Sequence, residues 1–72
     1  MPRKVRDLKR DLRRAGFSQR PGKGSHTVWS HSLLPDNWTM SGNDSDDARH
    51  YQEREVRDLI RRAREAEEGQ SQ

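Results

Sequence analysis

Two apolar stripes at helical spacing, one near each end of the chain, bracket a central run of β-forming residues, and this arrangement constrains the fold most. Val5, Leu8, Leu12 and Ala15 stand at i, i+3, i+7 and i+10, one side of a helix expected over residues 4–15. Gly16 follows where a left-handed residue ends many helices, and Phe17 is placed to fold back onto it. Val56, Leu59, Ile60 and Ala63 repeat the stripe in a second helix expected over residues 51–66. Glu53 with Arg57, Asp58 with Arg62, and Arg61 with Glu65 are i, i+4 pairs that give it slight support.

Between the helices, residues 17–20 begin a strand and Pro21-Gly22-Lys23-Gly24 reads as a turn or loop. Residues 26–31 form the next strand, with His26, Val28 and Ser30 on one face and Thr27, Trp29 and His31 on the other. Leu33 to Asp36 is a hairpin connection, and residues 37–41 form a strand with Trp38 and Met40 on a shared face. The expected fold is α+β in the order α-β-β-β-α, with two helices on one face of a small antiparallel sheet and the other face open. Trp29 then points into the core and His26 away from it. A single domain over residues 1–66 and a disordered tail over 67–72 are expected.

Val, Leu, Ile and Phe make up only 10 of 72 residues, so the core must be thin. A net charge of only +3 and the periodic placement of the apolar residues argue for folding over disorder. Without cysteine there is no disulfide and no thiolate metal site. No apolar run approaches the roughly 18 residues that would suggest a membrane span, and no signal-peptide pattern opens the chain, so the cytoplasm is the expected location and no membrane partner is expected. Charge is uneven: residues 1–23 carry nine Lys or Arg against two Asp, residues 24–50 net −3 and residues 51–72 net −1. A basic first third suits a polyanion such as nucleic acid, although a solvated helix face has the same composition.

Lys23-Gly24-Ser25-His26 carries the chemistry. Gly24 lets the backbone approach a phosphate, Lys23 supplies positive charge, Ser25 offers a hydroxyl, and His26 can take or give a proton near neutral pH. These are the parts needed for attack of an RNA 2′-hydroxyl on its own phosphate; a turn followed by a half-exposed strand histidine is the bland alternative. Asn43-Asp44-Ser45-Asp46-Asp47 offers hard oxygen ligands but lacks calcium-loop spacing, so its aspartates are expected to cap turns and the coming helix. His31 is read as a strand-end residue with an outside chance of assisting His26, and His50 as a loop residue. Trp29 and Trp38 are assigned to the core ahead of base stacking.

The segments Val5-Arg6-Asp7-Leu8, Leu12, Gly16-Phe17 and Gly22-Lys23-Gly24-Ser25-His26-Thr27-Val28-Trp29-Ser30-His31 together resemble the HicA family of bacterial toxins. The likeness continues through Trp38-Thr39-Met40-Ser41-Gly42, Asp46-Asp47-Ala48 and Tyr51-Gln52-Glu53, covering about residues 4–64. It implies a fold similar to a double-stranded-RNA-binding domain and the activity of an mRNA interferase in a type II toxin–antitoxin system. It also implies His26 as the catalytic residue, no metal or organic cofactor, and a HicB-type antitoxin that covers the active site. The free chain would be a monomer and the inhibited form a hetero-oligomer. On this reading Lys23, Gly24 and Ser25 hold the scissile phosphate while Arg6, Lys9, Arg10, Arg13 and Arg14 hold the RNA strand. The chain departs from the family in its Ser32-Leu33-Leu34-Pro35-Asp36 connection, where many members have a short His-Pro turn. A non-catalytic RNA-binding module of the same fold, which would tolerate loss of His26, is the alternative, and a protein-interaction domain a weaker third.

Overall fold

The computed structural model describes residues 3–70. Helix α1 spans Val5–Arg14, strands β1, β2 and β3 span Ser18–Pro21, Thr27–Ser30 and Trp38–Met40, and helix α2 spans His50–Gln70. The strands form one antiparallel sheet in the order β1-β2-β3. The architecture is the expected small α+β arrangement of two helices and a three-stranded antiparallel sheet.

The apolar stripes meet one sheet face. Val5, Leu8 and Leu12 of α1, Val56, Leu59 and Ala63 of α2, and Phe17, Trp29, Met40 and Ala48 form a single buried cluster. Trp29 is fully buried and its indole N–H donates to Thr27 Oγ1 at 2.9 Å, which leaves no unpaired polar atom at the centre. Trp38 stands on the same face but only half-buried, and its indole N–H reaches Glu55 Oε2 at 2.7 Å. Thr27, Trp29 and His31 are buried while Val28 and Ser30 are partly exposed, so the expected alternation along β2 holds.

Helix α1 begins in an unexpected way. Its first N–H groups, which a helix cannot satisfy internally, are taken by the 43–48 loop: Val5 N–H donates to Asp46 O at 2.9 Å and Arg6 N–H to Asp44 O at 3.2 Å. Asp7 reaches back to accept from Lys4 N–H at 2.9 Å. At the start of α2, Gln52 is buried, accepts from Arg49 N–H at 2.9 Å and donates to Ser41 O at 3.0 Å, tying the helix to the end of β3.

Three expectations are corrected. Helix α2 continues to Gln70, so residues 67–70 of the expected tail are helical, and residues 71 and 72 lie outside the described residues. Glu and Arg in residues 64–68 favour helix, and His31 Nε2 lies 3.7 Å from Glu67 Oε1, which gives the extension a contact with the sheet. Pro21 belongs to β1 and not to the turn. It pairs with Thr27 at a position between hydrogen-bonded pairs of an edge strand, so its missing N–H costs no ladder bond. Of the three expected charge pairs on α2, only Arg61–Glu65 forms, at 2.9 Å, and Asp58 also turns to Arg61.

Candidate functional site

Strands β1 and β2 are joined by the five residues Gly22, Lys23, Gly24, Ser25 and His26, all exposed. His26 N–H donates to Lys23 O at 2.9 Å, closing a turn. Gly24 has φ of 58° and Ser25 has no positive φ, the pattern of a type II′ turn, whose twist matches that of the flanking strands. A Cβ at Gly24 would meet nothing within 4 Å, so no other residue crowds the tip there.

Behind the tip, Gly22 N–H donates to His26 O at 2.9 Å. A Cβ on Gly22 would lie 3.0 Å from His26 O and 3.2 Å from His26 Cβ, tighter than ordinary Cβ contacts, so His26 would have to give by a few tenths of an ångström. Gly22 is thus the residue that lets the two limbs close and sets the backbone at His26. The composition of the turn pointed to Gly24 as the glycine with a task; the close approach at Gly22 depends on strand register, which the sequence reading did not resolve.

Lys23, Gly24, Ser25 and His26 stand at the tip of this hairpin. The side chains of Lys23, Ser25 and His26 make no hydrogen bond or ion pair among the described residues. By strand alternation His26 shares the face of Val28 and Ser30, the face that neither helix covers.

The α1 cations lie elsewhere. Arg6, Arg10, Arg13 and Arg14 are exposed on the outer side of a helix packed against the opposite sheet face. Arg10 is 3.6 Å from Asp7 and 3.9 Å from Asp11. Lys9 departs from its expected part as an RNA contact: its side chain is only 11% exposed and its Nζ lies 2.6 Å from Asp44 Oδ1. That hydrogen bond, reinforced by the charge of Lys9, holds the Asp44 carboxyl below the usual carboxylate range. The Lys4 backbone N–H, with Arg10, Arg3 and Arg6 nearby, does the same for Asp7.

The acidic loop is committed to the fold. Asp44 pairs with Lys9, Asp47 with Lys4, and Asp46 accepts from Asn43 N–H at 2.9 Å. The expected turn-capping is present at Asp46, but two aspartates pair with lysines of the α1 segment, a tertiary contact that loop composition does not show.

His31 is no partner for His26. It lies five residues along the strand, about 16 Å, and on the opposite face. Its Nδ1 accepts from Leu33 N–H at 3.1 Å and its ring packs edge-on against Phe17 at 4.9 Å between centroids. His50 is fully exposed, 3.9 Å from Glu53.

A groove of about 530 Å³ runs between the helices, lined by Arg3, Val56, Arg57, Ile60 and Arg64 among others, and none of the hairpin residues borders it. No helix among the described residues is long and apolar enough to cross a membrane. No protein-family model, curated protein or solved structure matches the chain.

Proposed function

We propose that this chain is a HicA-like endoribonuclease, an mRNA-cleaving toxin with a double-stranded-RNA-binding-domain-like fold, which uses His26 as its acid–base group. One observation carries the reading. The His26 side chain is exposed and has no hydrogen-bond or ion-pair partner among the described residues, on a hairpin tip that also carries Lys23 and whose Gly24 leaves open space beside its backbone.

In the proposed reaction neutral His26 accepts the proton of a ribose 2′-hydroxyl as that oxygen attacks the adjacent phosphorus. The bond from phosphorus to the 2′-oxygen forms and the bond to the 5′-oxygen breaks. The departing 5′-oxygen takes a proton from water or from the imidazolium. The products are a 2′,3′-cyclic phosphate and a 5′-hydroxyl end. Lys23 offsets the charge that builds on the phosphoryl oxygens. Arg6, Arg13 and Arg14, exposed on α1, would meet phosphates of a strand that wraps beyond the hairpin. A HicB-type antitoxin is the proposed inhibitory partner, and no cofactor takes part.

The test is cleavage of a defined RNA in EDTA by wild type and His26→Ala. Cleavage by the wild type alone, ending in a 2′,3′-cyclic phosphate, supports the proposal. Equal cleavage by both refutes the role of His26. A second reading, a non-catalytic RNA-binding module, is favoured by one feature: among the described residues no hydrogen bond orients the His26 ring or selects its tautomer. RNA bound but left intact by both proteins would establish it.

A further inference from the structure

We infer that Arg20 forms, with His26, a phosphodiester subsite on the open sheet face; this rests on the nuclease reading and deepens it. The register gives the placement. Arg20 pairs with Val28 and Pro21 with Thr27, and Gly22 N–H donates to His26 O, so Gly22 lies opposite His26 and Arg20 lies diagonally across from it. Arg20, Val28 and His26 share the face turned away from Trp29 and both helices.

Diagonal neighbours across antiparallel strands have Cβ atoms somewhat under about 8 Å apart, within reach of a long side chain. The position opposite His26 has no side chain, because it is Gly22. His26 closes onto the Gly22 backbone, where an added Cβ would lie 3.2 Å from His26 Cβ, so no side chain from that position stands between the imidazole and a guanidinium reaching across from Arg20. Arg20 is exposed and makes no ion pair or hydrogen bond with any described residue, so its five donors are uncommitted. A planar guanidinium fork matches two non-bridging phosphate oxygens, and a lysine ammonium does not. The α1 arginines lie on the far side of the sheet and cannot supply this contact to the phosphate that His26 serves.

The flanking face supports the same occupant. Ser18, Ser30 and Thr39 place hydroxyl groups beside Arg20 and Val28, a polar floor suited to ribose and phosphate oxygens.

The experiment compares wild type, Arg20→Ala, Arg20→Lys, His26→Ala and, as a charge-matched control, Arg54→Ala on the exposed face of α2. Each is assayed for single-turnover cleavage of an RNA oligonucleotide at saturating protein. Binding of the 2′-O-methyl form of the same oligonucleotide, which lacks the attacking hydroxyl, is measured against salt. Thermal melting confirms that all variants fold. Arg20→Ala should lower the cleavage rate by about 10²-fold, with partial recovery in Arg20→Lys. The log–log salt slope of Arg20→Ala should fall by about 0.7, the loss of one single-strand phosphate contact, with Arg54→Ala unchanged in both assays. If His26→Ala is dead while Arg20→Ala cleaves and binds as wild type, the nuclease reading stands and the Arg20 subsite is refuted. If the wild type binds without cleaving, the salt slope alone decides: a fall confined to Arg20→Ala retains the phosphate contact, and no fall refutes it. If the wild type neither binds nor cleaves, both fail.

Discussion

The Lys9–Asp44 pair predicts unequal costs for removing its two ends. The ammonium is 11% exposed and the carboxylate 66%, with 2.6 Å between them. At that distance two unit charges attract by about 6 kcal/mol at an effective dielectric of 20 and by about 1.6 kcal/mol in water. Desolvation of the ammonium cancels much of this, and the exposed carboxylate brings the net value down toward the surface range. Asp44→Ala leaves a nearly buried cation without a partner and is expected to cost about 2 kcal/mol. Lys9→Met keeps the aliphatic packing, frees a carboxylate that water already reaches, and is expected to cost under about 1 kcal/mol. The double variant should lie near Lys9→Met. Urea unfolding followed by tryptophan fluorescence measures this directly. With a slope of about 1 kcal/mol/M for a chain this small, Asp44→Ala shifts the midpoint down by about 2 M. Equal shifts for the two single variants, or a double variant as unstable as Asp44→Ala, would refute the assignment of Lys9 as a buried strap. RNA affinity of Lys9→Met should match wild type.

Acid sensitivity follows from the two depressed carboxylates. Asp7 and Asp44 titrate lower in the fold than in the unfolded chain, so their stabilisation is complete above about pH 5 and is lost as pH falls through their unfolded value of 3.8 toward their folded ones. Melting temperatures across that window should fall less steeply for an Asp7→Asn, Asp44→Asn double variant. Gly22→Ala should lower cleavage without removing any reacting group, because its methyl would sit 3.0 Å from His26 O; a cleavage rate equal to wild type would show that this contact does not position His26. Trp29→Ala empties the largest fully buried site and should cost about 3–5 kcal/mol out of a total of about 4–11 for 72 residues, so circular dichroism should show its melting temperature lowered by at least about 12 °C.

How much of this protein was legible in its sequence varies by residue. The stripe of Val5, Leu8 and Leu12, the stripe of Val56, Leu59 and Ala63, and the alternation of Thr27, Val28 and Trp29 belong to single elements. Periods of 3.6 and 2 are fixed by backbone geometry alone, so the elements, their buried faces and the outward direction of His26 follow from spacing. Contacts between distant segments left no such trace. Lys9 resembles its basic neighbours until a loop more than thirty residues away places Asp44 beside it. Gly22 and Arg20 acquire meaning only from the pairing of β1 with β2, where a shift of one residue would move Arg20 to the other face. The end of α2 is hidden from the sequence for the same reason: the segment after Ala66 has no apolar residue to mark it, and its contact is a glutamate meeting a histidine from the far end of the sheet. Local chemistry therefore determined which residues are inside and which hairpin carries the histidine. Packing decided which cations are paired within the fold and which guanidinium shares a face with His26.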